Sequence, residues 1–216
     1  MKKRLLFFDL DGTLTDPGEG TRRAVCAALE RFGIRESRRA VLDSFIGPPL
    51  AESFRRHYGF GPDETRQAVA AYRGYYEERG WAENVPYRGI RDALEVLRSS
   101  GCRMVLASSK PERFAGRILG RFGLREYFGG LVCASLDGSV STKEEVLALA
   151  LGSYPPAADE EAFMIGDRDL DVLAGKRFGL RTVGAVYGYG GREELERAGA
   201  DLLAGSPSAL TELQRI

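Results

Sequence analysis

Two aspartates near the start of the chain are the residues best suited by type and spacing to do chemistry. Asp9 and Asp11 follow an apolar run at residues 5–8 that is typical of a buried strand. Side chains two residues apart on an extended chain point the same way, so the carboxylates should lie side by side. Such a pair needs a cation or a shared proton. A nucleophile beside an acid–base group, with a metal ion, would use this arrangement, although an acidic turn would also produce it.

The wider sequence at residues 7–16, Phe-Phe-Asp-Leu-Asp-Gly-Thr-Leu-Thr-Asp, is more specific than the pair alone. It resembles the first motif of the haloacid dehalogenase superfamily, whose members mostly transfer phosphoryl groups through an aspartyl-phosphate. The resemblance implies that Asp9 is the nucleophile. Asp11 would protonate the leaving oxygen and later deprotonate the hydrolytic water. Superfamily dehalogenases attack carbon and lack an acid at the second position, so Asp11 indicates phosphoryl transfer.

A second segment resembles the superfamily's second motif. An apolar strand predicted at residues 104–107 ends in Ser108-Ser109-Lys110, where family members often carry Thr-Asn-Lys. Ser108 would donate a hydrogen bond to a phosphoryl oxygen, and we expect Ser109 to belong to the same phosphate site. A polar junction between a strand and a loop would have a similar composition.

A lysine near a predicted helix start is the best match to the third motif. Lys143 lies in Ser-Thr-Lys-Glu-Glu-Val-Leu, and its ammonium would neutralise charge on Asp9 and on the phosphoryl group. Lys110 competes with it for this role, and Lys176 is a more distant candidate.

A further segment resembles the superfamily's fourth motif: residues 163–171 read Phe-Met-Ile-Gly-Asp-Arg-Asp-Leu-Asp. Here another apolar strand ends in Gly-Asp, with a further aspartate four residues later. The resemblance implies that Asp167 binds a metal directly and that Asp171 acts through water or from behind the direct ligands. Asp169 should face away.

Four carboxylates beside a phosphate dianion require compensating positive charge. The chain has one histidine and three cysteines without a Cys-x-x-Cys pair, so carboxylates and carbonyls must hold any metal, which favours Mg²⁺. The resemblance implies that Mg²⁺ binds the Asp9 and Asp167 carboxylates and the Asp11 carbonyl. Backbone amides of the Asp11–Thr13 turn, including those of Gly12 and Thr13, should bind phosphate together with Lys143.

Outside residues 17–84, short apolar segments alternate with amphipathic helical stretches. Strands are predicted at residues 5–8, 104–107, 130–133, 163–165, 182–186 and 201–203. This alternation predicts an α/β fold, a Rossmann-like parallel sheet with functional groups at the carboxyl ends of its strands. Residues 17–84 show helical stripes and no convincing strand. They should form an all-helical cap inserted after the first strand, as in phosphoglycolate-phosphatase-like members, with residues 1–16 and 85–216 as the catalytic core.

Substrate choice is expected to depend on the cap. The run Phe-Ile-Gly-Pro-Pro-Leu at residues 45–50 looks like the cap loop of phosphoglycolate-phosphatase-like and 5′-nucleotidase-like proteins, which makes Gly47, Leu50 and the nearby Phe54 specificity candidates. A cap arginine could bind a carboxylate and a cap aromatic could stack on a base. The candidates of these two kinds are Arg22, Arg23, Arg55, Arg56, Phe45, Phe54, Tyr75 and Tyr76. The run at residues 188–195 matches the same subgroup and indicates membership more than substrate.

Composition excludes several classes of function. The 216 residues carry 31 basic and 31 acidic side chains, so no overall charge draws the chain to nucleic acid or to an anionic membrane. No apolar stretch approaches the roughly 20 residues of a membrane span, and the basic start precedes too short an apolar run for a signal peptide. We expect a cytoplasmic protein whose partner is a small phosphate ester. Monomer and dimer stay equally open.

These features together predict a Mg²⁺-dependent phosphomonoester hydrolase that resembles phosphoglycolate phosphatases. The nearest alternative keeps the chemistry and changes the substrate to a nucleoside 5′-monophosphate. Phosphoglucomutase activity is less favoured, because the loop at residues 47–50 has no basic residue for a second phosphate. A non-catalytic phosphate-binding regulatory module is the alternative from another class.

Overall fold

The computed structural model describes residues 3–215, in which strands and helices alternate over most of the chain. The strands are β1 (Lys3–Phe8), β2 (Thr15–Asp16), β3 (Val85–Pro86), β4 (Arg103–Pro111), β5 (Gly130–Ala134), β6 (Glu160–Gly166), β7 (Arg181–Ala185) and β8 (Leu202–Ala204). The α-helices are α1 (Gly18–Glu30), α2 (Arg39–Asp43), α3 (Leu50–Tyr58), α4 (Pro62–Glu78), α5 (Ile90–Ser99), α6 (Glu112–Arg121), α7 (Lys143–Ser153), α8 (Asp169–Arg177) and α9 (Gly191–Arg197). Over this range, no helix has both the length and the apolar character needed to cross a membrane.

The main sheet has the strand order β5-β4-β1-β6-β7-β8, and its neighbouring strands are parallel. All six strands predicted for it are present, with bounds that differ by up to four residues, the largest difference being the extension of β4 to Pro111. The predicted α/β, Rossmann-like fold is therefore confirmed. Strand β1 lies in the interior of the sheet, between β4 and β6. Strands β4 and β5 form one side of the sheet, and β6, β7 and β8 form the other.

Both faces of the sheet are covered, which explains why its strands read as apolar runs rather than alternating patterns. The four residues that end β1 are fully buried. On one face Leu5, Phe7 and Met164 pack with Val146 and Leu147 of α7. Because β1 is buried on both faces, its position in the sheet is fixed, and so is the position of Asp9, which follows it.

The chain divides into two compact units, one comprising residues up to Thr15 together with those from Pro86 onward, the other Asp16–Val85. The first unit contains the six-stranded sheet. The second contains α1–α4, in which α1 packs against α4, and a short 3-10 helix at Gly80–Glu83. The assignment of residues 1–16 and 85–216 to a catalytic core and of residues 17–84 to a cap stays a prediction about role.

Candidate active site

Three adjacent strands end at the same edge of the sheet and carry the predicted polar residues there. Asp9 follows β1, Ser108 lies in the last part of β4, and Asp167 follows β6. Phe8 is in register with Leu106 on one side and with Ile165 on the other. Because parallel strands end together, residues almost 160 positions apart become neighbours at a switch point of the sheet.

Three buried carboxylates meet at this edge. One oxygen from each of Asp9, Asp167 and Asp171 lies within 4.8 Å of the other two. The ammonium of Lys143 lies 2.7 Å from Asp9 Oδ1 and 2.9 Å from Asp171 Oδ1, and it donates a 3.1 Å hydrogen bond to the carbonyl of Ala107. The structure thus brings together the predicted nucleophile, the third-motif lysine and both fourth-motif aspartates.

The position of Lys143 follows from its helix start. Thr142 caps α7, accepting from the Glu145 amide while the Glu145 side chain accepts from the Thr142 amide. Lys143 is the first residue of the helix, where the macrodipole disfavours a cation. Its ammonium is nevertheless buried, because two carboxylates and a carbonyl receive it. This local conflict is typical of a functional position.

The pKa values show how strongly these charges depend on each other. Burial lowers the pKa of Lys143, but the Asp171 and Asp9 carboxylates outweigh burial and raise it above its ordinary value. Burial, with Asp171 and Asp9 adding to it, raises the pKa of Asp167 well above its ordinary value. Burial also raises the pKa of Asp171, to about 6, against the opposing effect of Lys143. One ammonium therefore does not balance the three carboxylates.

The residues of this cluster fit a magnesium ion. The Asp167 carboxylate accepts from neutral donors, the Tyr189 amide at 2.7 Å and the Thr13 hydroxyl at 3.5 Å. Buried carboxylate oxygens in excess of the local positive charge are the ligands that a hard divalent cation prefers. Asp171 belongs to the cluster and is bonded to Lys143 and to the Arg168 amide, and its place behind the direct ligands stays a prediction.

The two competing lysines contact different aspartates. Lys110 pairs with Asp11 Oδ2, so the Asp11 side chain has its own cation. The pairing register of β4 with β5 shifts between Ser108 and Pro111, and Lys110 lies within this irregular stretch of the strand. Lys176 pairs with Asp201 at 3.5 Å, ahead of edge strand β8. The Asp169 carboxylate accepts from the Leu170 amide at 2.8 Å.

Two of the backbone amides predicted to bind phosphate donate hydrogen bonds within their own turn. The Gly12 amide donates to the Thr15 carbonyl at 2.8 Å, and the Thr13 amide donates to the Leu10 carbonyl at 3.3 Å. Both amides are thus hydrogen-bonded inside the turn, and the phosphate-binding role of the Asp11–Thr13 turn stays a prediction. Gly12 also has a steric reason to be glycine: its φ is 82°, and a Cβ there would overlap the Asp167 carboxylate.

The predicted serines lie at the end of β4. Ser108 is buried, and its Oγ accepts from the Lys110 amide at 3.3 Å, which leaves the hydroxyl hydrogen able to donate. Ser109 is half-buried beside it. Their roles toward phosphate stay predictions.

Gly12→Ala should cost far more stability than a matched glycine replacement elsewhere. Gly89 has nearly the same φ, 84°, and a methyl group at its Cα would meet nothing within 4 Å. Gly89→Ala should therefore cost only backbone strain, about 1–2 kcal/mol. Gly12→Ala adds overlap with Asp167, about 1–3 kcal/mol more. Urea unfolding of both variants measures the difference, and equal costs would contradict the close contact.

In the second unit, one specificity candidate is a core residue. Phe54 is fully buried, with its ring 4.9 Å from that of Phe45 and 6.0 Å from that of Phe60. Ring contacts and burial occupy the surface of Phe54, so it packs in the core of this unit, and its influence on specificity stays a prediction. Gly47 is exposed with a φ of 105°, and Leu50, which begins α3, is half-buried.

The cap arginines and tyrosines fall into two groups. Arg22 pairs with Asp43 at 2.7 Å, and Arg23, although exposed, pairs with Glu83 at 2.5 Å. Arg55 and Arg56 are exposed on α3. The aromatic candidates are also engaged: Phe45 is buried, Tyr75 donates to Glu83, and Tyr76 stacks on Tyr72 with centroids 5.6 Å apart.

The run at residues 188–195, which indicates subgroup membership, lies against the site together with Tyr187 just before it. The hydroxyl of Tyr187 donates to the Thr13 carbonyl at 2.9 Å, and the Tyr189 amide donates to Asp167. Glu194 accepts from the Arg168 guanidinium at 2.7 Å. The glycine-rich run at residues 188–191 was the visible signal, but contacts across more than 170 positions cannot be read from it.

Comparison with known proteins places these features in a family. The model of the family described as haloacid dehalogenase-like hydrolase matches residues 3–179. A 5′-nucleotidase of Pseudomonas aeruginosa is 42% identical over 190 residues, covering 88% of this chain and 86% of the relative. The tyrosine-protein kinase PtkA of Mycobacterium tuberculosis is 38% identical, covering 90% of this chain and 66% of the relative. Phosphoglycolate phosphatase 1 of P. aeruginosa is 33% identical, covering 90% and 74%.

A solved structure agrees with this placement over almost the whole chain. The crystal structure of a predicted phosphatase from Clostridium acetobutylicum superimposes with a TM-score of 0.92 at 38% identity. It covers 99% of this chain, and this chain covers 98% of it. The likeness therefore extends beyond the range of the family model to the segment after residue 179.

Proposed function

Because the chain belongs to the haloacid dehalogenase-like hydrolases and is a phosphatase of that family, we propose that it hydrolyses a small phosphate monoester through an aspartyl-phosphate on Asp9. The observation that supports this most is the contact of Lys143 with both Asp9 and Asp171 beside Asp167. A strand-end carboxylate held by a buried ammonium has a fixed oxygen to present to phosphorus.

The reaction has two displacements. An Asp9 oxygen forms a bond to phosphorus as the ester P–O bond breaks, and Asp11 gives its proton to the departing oxygen. Asp11 then takes a proton from water, whose oxygen attacks phosphorus and releases the Asp9 carboxylate with inorganic phosphate. Lys110, paired with Asp11, holds this second carboxylate in place between the steps.

Charge compensation is shared between protein groups and a cation. Lys143 neutralises Asp9 and the equatorial phosphoryl oxygens, and Ser108 donates to one of those oxygens. Asp9, Asp167 and the Asp11 carbonyl would hold Mg²⁺, with Asp171 behind them. Bound Mg²⁺ supplies a positive charge that stabilises the negative charge developing on the transferred group.

Removal of divalent metal tests this proposal. Hydrolysis of an aryl phosphate should stop in EDTA and return with Mg²⁺. Mg²⁺ should also raise the Tm of the wild type, because it binds the folded carboxylate cluster and not the unfolded chain. Asp167→Asn should lose that Tm rise, while Asp159→Asn, an exposed aspartate paired with Lys3, should keep it. Unchanged hydrolysis in EDTA would overturn the metal requirement.

Two candidate substrates are compatible with the same chemistry. Phosphoglycolate is the substrate expected from the sequence, and Arg55 and Arg56, exposed on α3, are the cap cations proposed for its carboxylate. A nucleoside 5′-monophosphate is the second candidate, supported by the 42% identity to a relative named 5′-nucleotidase. No aromatic candidate in the cap is fully exposed, so base stacking would need a rearranged tyrosine.

A panel of phosphate esters separates these candidates. If phosphoglycolate is the substrate, its kcat/KM should exceed that of each nucleoside 5′-monophosphate, and Arg55→Ala should lower it with little effect on an aryl phosphate. Arg39→Ala, an exposed arginine on α2, is the control. Nucleotides preferred tenfold would transfer the assignment to the second candidate and leave the Asp9 chemistry unchanged.

A further inference from the structure

The segment at residues 187–194, here called the 187–194 segment, contacts the loop that carries Asp9. Tyr187 is largely enclosed, its ring meeting Tyr87 edge-to-face with centroids 5.0 Å apart at 71°. Its hydroxyl donates a 2.9 Å hydrogen bond to the Thr13 carbonyl. One end of the segment therefore fixes the turn after Asp9 and Asp11.

The middle of the segment contacts Asp167 directly. The Tyr189 amide donates to Asp167 Oδ2 at 2.7 Å, and the Gly190 amide donates to the Asp167 carbonyl at 3.2 Å. A Cβ at Gly188 would overlap both Asp167 and the Gly12 carbonyl, so only glycine permits this approach. The first hydrogen bond orients the Asp167 carboxylate, which is the proposed direct metal ligand, and the second holds the Asp167 backbone.

The far end of the segment holds the turn between the fourth-motif aspartates. Glu194 Oε1 accepts from Arg168 Nε at 2.7 Å and from the Asp169 amide at 3.0 Å. The Arg168 amide in turn donates to Asp171 Oδ2 at 3.1 Å. These charge-assisted bonds tie one carboxylate on α9 to the turn that joins Asp167 to Asp171.

We propose that the 187–194 segment is a positioning element of the metal site, with Glu194 and Tyr187 as its side-chain contacts. It joins the loop after β1 to the loop after β6, and so sets the separation of Asp9 and Asp167. Neither side chain contacts the reacting atoms; both act through the ligands. This rests on the proposed function, because the metal is the group that the carboxylates are positioned to bind.

Calorimetric titration with Mg²⁺ tests Glu194. Glu194→Ala removes the bonds to Arg168 and to the Asp169 amide, and its Mg²⁺ Kd should rise about 10–100-fold, as for other residues that orient metal ligands. Glu194→Gln keeps an oxygen for the Asp169 amide and should recover part of the affinity. Glu193→Ala, on the same helix and paired at the surface with Arg197 at 2.6 Å, is the matched control and should bind as the wild type.

Tyr187→Phe tests the other end with a smaller change. It removes one hydroxyl and leaves the ring contact with Tyr87, so folding should be preserved. Because Thr13 lies in the loop of Asp9 and Asp11, kcat for an aryl phosphate should fall about tenfold with little change in KM. An unchanged kcat would remove Tyr187 from the proposal.

The outcomes distinguish this proposal from the proposed function. Wild-type affinity for Mg²⁺ in both Glu194 variants would overturn the positioning role while leaving hydrolysis intact. A wild type that binds Mg²⁺, shows the expected loss in the variants and hydrolyses no phosphate ester would support positioning and overturn the activity. If Glu194→Ala fails to fold, the Mg²⁺ titration of Glu194→Gln gives the same decision.

Discussion

Asp9→Asn should abolish turnover while the protein stays folded. The amide has nearly the shape of the carboxylate but is a poor nucleophile, so kcat for an aryl phosphate should fall on the order of 10⁴–10⁶-fold. The fold should survive because Lys143 keeps its contact with Asp171, and because one of three crowded negative charges is removed. Steady-state kinetics and a thermal melt measure the two effects separately.

Two comparisons make the Asp9 result specific. Asp159→Asn removes an exposed carboxylate at the opposite end of β6 from Asp167 and should leave kcat unchanged. Asp11→Asn should preserve the Asp9 nucleophile but slow both proton transfers, by about 10²–10⁴-fold. Near wild-type activity of Asp9→Asn would show that the assigned mechanism is wrong.

Lys143→Ala should damage both catalysis and stability. The ammonium contacts Asp9 and Asp171, and its loss should lower kcat on the order of 10²–10³-fold. It also leaves buried carboxylates without their cation, which should lower the free energy of unfolding by about 3–5 kcal/mol in metal-free buffer. Denaturant unfolding with and without Mg²⁺, alongside kinetics, measures both quantities.

Magnesium separates the two roles of Lys143. Added Mg²⁺ should recover part of the lost stability, because it supplies positive charge to the same carboxylates, but it should not restore kcat. Lys110→Ala is the matched lysine variant and should cost much less, because Lys110 pairs with Asp11 whereas Lys143 contacts the proposed nucleophile. The reverse ranking would mean that Lys110 and not Lys143 has the third-motif role.

In the second unit, packing of the aromatic candidates decides which substitutions are useful tests of substrate preference. The unit contains an aromatic cluster in which Phe45, Phe54 and Phe60 pack against each other, so these rings hold its helices together. Exposed arginines on α3 are the remaining polar candidates. Substrate panels on Arg55 variants are therefore more informative than substitutions of Phe54.

The local sequence was sufficient to predict the strands, the fold class and the identity of the clustered carboxylates. Strands buried on both faces are continuous apolar runs, so β1, β4 and β6 are visible without a structure. The polar residues at their ends are visible for the same reason. Parallel pairing then predicts that these ends meet, and Asp9, Asp167 and Lys143 do meet.

Only the tertiary structure decided which partners each group has. The turn at Gly12 and Thr13 uses its own amides, which a motif does not reveal, because turn hydrogen bonding depends on backbone angles. Lys110 and Lys143 are both lysines near strand or helix ends, and three-dimensional packing alone assigns one to Asp11 and the other to Asp9. The 187–194 segment lies against Asp167 and Thr13 because the sheet brings distant loops to one edge, and contacts of that sequence separation have no local signal.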